Sequence, residues 1–199
     1  MKSKLILKQK LTHQVKESVL LTIKNTENHY GWGAIILHWV IALLIIGLLI
    51  MGLYMAGLPI SLQKLKLYGW HKELGVLALM LATIRLFWRF INITPILPVT
   101  LPYLQKLAAH AVHWAFYIFM FAMPITGWLV SSAAGLPVSF YGLFTLPDLI
   151  SPSEPLRLFF TECHKWLGYG LIATICLHTV AALQHHFIHK DDILRRMLP

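Results

Sequence analysis

Charged residues leave this chain in long blocks. None occurs in residues 31–63, 107–131 or 166–188, and each block is long enough for the roughly 20 apolar residues that cross a bilayer core. A fourth block, 69–93, is strictly charge-free only over 74–84 and ends in Arg85 and Arg89, whose long apolar stems let a guanidinium snorkel toward a headgroup layer. The pattern predicts an all-α membrane protein, a four-helix transmembrane bundle.

Breakers and caps divide it. Asn28 is placed to cap a first helix running to about Ala56, and Gly57 and Pro59 end it. Tyr30, Trp32 and Trp39 lie near its interface. Residues 58–68 read as a connection and 69–93 as the second helix. Pro95, Pro98 and Pro102 deny a continuing helix its donors and mark the next loop. The third helix covers about 103–130, with Pro124 and Gly127 predicting a kink. Residues 131–153 are apolar but broken by Pro137, Pro147 and Pro152, a loop expected in the outer headgroup layer and placed to roof a cofactor. Ser153-Glu154-Pro155 combines an oxygen-bearing cap, an acidic first turn and a proline whose missing donor does no harm, so the last helix is expected over about 155–187. The chain thus divides into a cytoplasmic or interfacial extension (1–28), the bundle (29–188) and a charged cytoplasmic tail (189–199).

Composition agrees: 57% of the residues are hydrophobic and 13% charged, outside the range of ordinary soluble domains. The net charge of +9 raises the question of nucleic acid, and the placement of the charges answers it. With both termini on one side, that side collects Lys2, Lys4, Lys8, Lys10, Lys16, Lys24, Arg85, Arg89, Lys106, Lys190, Arg195 and Arg196, leaving Lys64, Lys66, Lys72, Arg157 and Lys165 opposite. Twelve against five orients both termini toward the cytoplasm and assigns the excess to membrane orientation rather than nucleic-acid binding. Cys163 and Cys176 form no Cys-x-x-Cys-His run, so covalent c-type haem attachment is excluded. Thirteen positions apart on one helix, they are too distant for a mutual disulfide and read as packing residues.

The chemistry lies in histidines within or beside the apolar blocks. His164 and His178 are fourteen residues apart, nearly four helical turns, so their imidazoles share a face about 21 Å apart. Threading the chain through four spans puts His38 and His178 toward the cytoplasmic side and His71 and His164 toward the other. Ionisable groups inside a membrane are costly, and two imidazoles at each of two depths suit two b-type haems, each iron taking one imidazole on either face. Zinc would need its ligands gathered at one point. His113, with His110 beside it, starts the third helix and is an alternative to His178 as partner of His38; hydrogen bonding to a haem propionate or lining a quinone pocket are its other roles. Arg85 and Arg89 are candidates for neutralising propionates on the inner side, and Lys72 and Lys165 on the outer. His185, His186 and His189 read as headgroup-layer residues.

These residues also carry a resemblance. Leu37-His38-Trp39, Trp70-His71-Lys72-Glu73-Leu74-Gly75, Ala109-His110-Ala111-Val112-His113, His164-Lys165-Trp166-Leu167-Gly168, Leu177-His178 and the stretch from Ala182 through His185, His186, Lys190, Asp191, Leu194 and Arg196 to Pro199 resemble the prokaryotic cytochrome b561 family from about Tyr30 onward. Cytochrome b subunits of formate dehydrogenase and nickel-iron hydrogenase share the two histidines fourteen apart. The resemblance implies a multi-pass protein of the bacterial inner membrane with two non-covalent haem b groups, His38 paired with His178 at the inner iron and His71 with His164 at the outer. It implies transmembrane electron transfer in exchange with the quinone pool, with ubiquinone as the electron partner. The alternatives it carries are a superoxide oxidase, drawing electrons from superoxide, and a membrane anchor subunit for a soluble dehydrogenase or hydrogenase.

Overall fold

Residues 23–96 and 101–198 are described by the computed structural model. The sequence-based expectation for residues 1–22 lies outside these. Four long helices follow one another: α1 (Trp32–Gly57), α2 (Leu62–Ile91), α3 (Tyr103–Ala133) and α4 (Glu154–Gln184). All four are long and apolar enough to cross a membrane, the last span continuing to His189. Their outward faces leave Leu43, Ile50, Phe87, Ile118, Leu177 and Val180 more than half exposed or nearly so, a surface only hydrocarbon would solvate cheaply.

Several boundaries differ from the sequence expectation. The first helix begins after Gly31, not at Asn28, and the side chain of Asn25 makes the local tie by accepting from the Gly31 amide at 3.0 Å. The second helix starts seven residues earlier than expected, because Ser61 caps it: its Oγ accepts from the Lys64 amide at 3.2 Å, and residues 62–68 become two helical turns rather than a connection. The third helix runs through Pro124 to Ala133. Ser153 does precede the last helix, but without a side-chain capping bond; its amide instead donates to the Ala133 carbonyl at 2.9 Å, fastening the start of α4 to the end of α3.

The loop between α3 and α4 holds the one departure from an all-helical reading. Strands β1 (Val138–Phe140) and β2 (Phe144–Leu146) form an antiparallel hairpin in the register Val138 to Leu146, Ser139 to Thr145 and Phe140 to Phe144. Three residues, 141–143, connect the strands; Tyr141 and Gly142 both have positive φ (47° and 70°), and the Leu143 amide donates to the Phe140 carbonyl at 2.9 Å. Val138 is buried, and β1 packs on α2 and α3. Trp128 Nε1 donates to the Pro147 carbonyl at 3.0 Å, and the Leu149 amide to Ser132 Oγ at 3.2 Å.

Opposite the hairpin, three segments distant in sequence close the other end. Asn25 Nδ2 donates to the Ile93 carbonyl (2.8 Å), Arg196 Nη1 to the Ile96 carbonyl (2.8 Å) and Trp39 Nε1 to the Met197 carbonyl (2.7 Å). Both ends of the described chain therefore lie at the same end of the bundle. The polypeptide reverses there through a π-helical turn, His185–His189, and a left-handed Lys190.

Helices adjacent in sequence pack together: α1 on α2, α2 on α3 and α3 on α4. Ile41, Ala82, Tyr117 and Met120 from α1, α2 and α3 form the buried cluster. Helix α4 has few close backbone approaches to α1 or α2, and what reaches across that gap is mainly histidine.

Candidate metal centres

The long unbroken α4 sets the spacing. It carries His164 and His178 on one face, about 21 Å apart at 1.5 Å per residue. Helix α1 brings His38 to His178, with ring centroids 6.3 Å apart; α2 brings His71 to His164, also at 6.3 Å. The planes are mutually rotated by 61° and 78°.

That repeated spacing can be tested against a metal bridging each pair. An imidazole nitrogen binds a transition metal at about 2 Å and lies roughly 1.1 Å from its ring centre, so two imidazoles sharing one ion have centroids about 6.2 Å apart. Edge-to-face ring packing covers the same range, so the spacing counts here because it recurs at two levels of one helix. Among the described residues, no three His, Cys, Asp or Glu side chains gather around a point as a zinc site would require. The donor set is two imidazoles at each of two levels, with a gap between α4 and the first two helices, and it fits an axially coordinated planar cofactor.

At the hairpin end, His71 Nδ1 is buried without a hydrogen-bond partner. His164 Nδ1 lies 3.0 Å from the hydroxyl of Thr126 on α3. Room for one ring depends on glycine: a Cβ at Gly127 would meet His164 Cε1 at 3.2 Å, tighter than ordinary contact, whereas one at Gly52 would meet His71 Cε1 at an ordinary 3.4 Å. Lys72 Nζ reaches the Pro137 carbonyl at 3.5 Å, beside the hairpin, while Lys165 is paired with Glu162 at 2.6 Å.

At the terminal end, His113 packs on His178 with centroids 5.9 Å apart, and Phe116 meets the same ring edge-on at 5.2 Å. His178 is thus the ring that His38 and His113 share. His110 is exposed. Arg85 stands beside His38, with Nη2 3.5 Å from Nδ1, and donates to the Ala34 carbonyl at 3.4 Å. The Tyr117 ring lies under the Arg89 guanidinium at 5.6 Å. Tyr30 completes a small pocket with these residues. Burial raises its phenol pKa above 10 against the opposing pull of Arg89 and Arg85, so it remains a neutral donor. Among the described residues no carboxylate pairs with Arg85 or Arg89.

The model of the family described as prokaryotic cytochrome b561 matches residues 29–199. The chain belongs to that family. Cytochrome b561 homolog 2 of Escherichia coli K12 is 36% identical over 187 residues, covering 89% of this chain and 95% of the relative. Cytochrome b561 homolog 1 of the same organism is 29% identical over 176 residues, covering 86% and 98%. A protein named probable superoxide oxidase CybB, from Yersinia pestis, is 30% identical over 164 residues, covering 82% and 92%.

This cytochrome b561 is a multi-pass membrane protein built as a helical bundle, and its family implies b-type haem and electron transport. The sequence singled out the residues of both histidine pairs, His113, Arg85 and Lys72. It did not single out Thr126, whose hydroxyl is one among many in a helical pattern, nor Tyr117, whose ring reads as ordinary core. Gly127 was legible only as a kink. The two cysteines are free thiols, and Cys176 is exposed. His185 has partners of its own: its Nδ1 pairs with Asp191 Oδ2 at 2.6 Å, and its ring packs at a tilt on His189 with centroids 5.0 Å apart.

Proposed function

We propose that this cytochrome b561 holds two non-covalent haem b groups and passes single electrons across the bacterial inner membrane in exchange with ubiquinone. His38 and His178 hold the inner haem and His71 and His164 the outer, with both termini in the cytoplasm. The observation that carries this reading is the 6.3 Å centroid spacing found in both pairs. When bound, each haem would supply a one-electron couple, with the paired imidazoles of each level holding it.

The protein's part is to hold, orient and neutralise. A guanidinium buried without a carboxylate is unfavourable, and Arg85, backed by Arg89 in a pocket that Tyr30 and Tyr117 also line, would supply the charge an inner propionate needs. At the outer end Lys72 is placed for the same task, whereas Lys165 already has Glu162. His113 closes the far side of His178 and lines the inner site.

Superoxide as donor is a second reading, supported by the relative whose name carries that activity. Of the five hairpin-side cations, Arg157 and Lys165 are paired with Glu154 and Glu162, and Lys64 donates to the Leu58 carbonyl at 2.6 Å. Lys66 remains to attract an anion, together with Lys72, whose contact with the Pro137 carbonyl is long at 3.5 Å.

Purified protein in ubiquinone-containing vesicles tests the proposal. Two haems per chain, two separable one-electron waves and reoxidation by added ubiquinone are expected. A single haem, or reduced protein that ubiquinone leaves reduced, would contradict it. Superoxide-driven quinone reduction that falls in a Lys72→Met variant would favour the second reading.

A further inference from the structure

The two histidines of the outer pair are held differently. His71 Nδ1 has no hydrogen-bond partner, whereas His164 rests its Nδ1–Cε1 edge on two consecutive residues of α3. Thr126 Oγ1 lies 3.0 Å from His164 Nδ1, and the missing side chain of Gly127 leaves space that Cε1 approaches closely.

The direction of the Thr126 bond follows from its other contacts. A hydroxyl has one proton to give. Thr126 Oγ1 lies 2.8 Å from the Ala122 carbonyl and 2.9 Å from the Met123 carbonyl, and both are acceptors only. With the proton given to that preceding turn, the oxygen can only accept from the imidazole. Nδ1 therefore carries the hydrogen, and the lone pair of neutral His164 is on Nε2.

We propose that Thr126 is a positioning residue for His164: its hydroxyl oxygen accepts the Nδ1–H bond, fixing tautomer and ring plane so that Nε2 faces the iron. The proposal rests on the reading above that His164 binds the outer haem. A hydrogen bond accepted from the far nitrogen of an axial imidazole makes it a stronger electron donor and favours the ferric state. A hydroxyl already donating to carbonyls is polarised into a better acceptor.

Thr126→Val keeps the shape and removes the oxygen, and Thr126→Ser restores it. Thr83→Val is the control, since the Thr83 hydroxyl bonds only to the Leu79 carbonyl of its own helix. Redox titration and low-temperature EPR of the purified haem-loaded proteins provide the readout. Thr126→Val should move one couple upward by about twofold to fivefold in its reduction equilibrium, about 20–40 mV at 59 mV per tenfold. The low-spin signal of that haem, which senses the angle between its axial rings, should change with it. The other couple should stay in place, Thr126→Ser should restore both readouts, and Thr83→Val should change neither. Loss of one haem in Thr126→Val but not in Thr126→Ser would also support the proposal. Unchanged potentials and EPR in Thr126→Val, a downward shift, or equal effects of Val and Ser would overturn it. Wild-type protein without haem would instead defeat the functional reading, and the proposal with it.

Discussion

His71 and His164 come from α2 and α4 yet stand with ring centroids 6.3 Å apart, each beside a glycine of a third or fourth helix: Gly52 of α1 for His71 and Gly127 of α3 for His164. All four helices therefore meet at this pair, α2 and α4 supplying the rings, α1 touching His71 at Gly52 and α3 giving His164 room at Gly127. The inner pair repeats the spacing with His38 and His178, but there an arginine and a third histidine crowd the rings.

The room at Gly127 has a measurable consequence. In Gly127→Ala the new methyl would stand 3.2 Å from His164 Cε1, closer than ordinary contact, and the ring must shift. Overpacking of this kind costs about 1–3 kcal/mol, so haem transfer from the outer site to an excess of apomyoglobin should be favoured roughly fivefold to 150-fold. Gly69→Ala, at an exposed helical position with nothing within 4 Å, should match wild type. Equal retention in both variants would show that His164 does not need this clearance.

Arg85 predicts a shift confined to the other haem. A positive charge beside His38 favours the reduced state, so Arg85→Gln should lower the inner couple while the outer, about 21 Å along α4, stays in place. A tenfold change in the reduction equilibrium, about 59 mV, is the expected order of magnitude. Potentiometric titration reads both couples in one experiment. An upward shift, or equal movement of both, would remove Arg85 from the inner site.

Much of this arrangement was legible in the sequence because hydrophobicity and chemistry pointed the same way. The fourteen-residue interval between His164 and His178 needed only an unbroken helix to become two levels, and Glu154–Gln184 is one. Three charge-free blocks located three spans, and the shorter charge-free run 74–84 with its flanking arginines located the fourth. What was not legible depended on local competition or tertiary packing. Ser61 takes the role of helix cap and extends α2 backward past a stretch whose polar edges suggested a connection. The hairpin escaped because its strands are three residues each and its connection is Tyr-Gly-Leu, a weaker signal than Asn-Gly. Thr126 could be singled out only once the packing of α3 on α4 placed its hydroxyl against His164.

The tail's closure of the terminal end depends on pH through Asp192, outside the spans. Its hydrogen bond from Arg196 holds the carboxyl below the ordinary 3.8, so ionised Asp192 favours the folded tail above that value, and the contribution is lost as pH falls through the lowered one. Protease cleavage within residues 191–198 should therefore accelerate below about pH 4 in wild type. Arg196→Gln, which also loses the bond to the Ile96 carbonyl, should be cleaved faster at neutral pH and show less additional acid sensitivity. An identical pH profile in both would show that this pair does not hold the tail.

The central claim is that two imidazole pairs hold two haems, and haem quantification with a reduced-minus-oxidised spectrum of wild type, His164→Ala and His38→Ala tests it most directly. Wild type should contain two haem b per chain, with His164→Ala keeping only the inner and His38→Ala only the outer, so that the two difference spectra differ and together account for the wild-type spectrum. Two haems retained in both variants, or the same haem lost from each, would contradict the assignment.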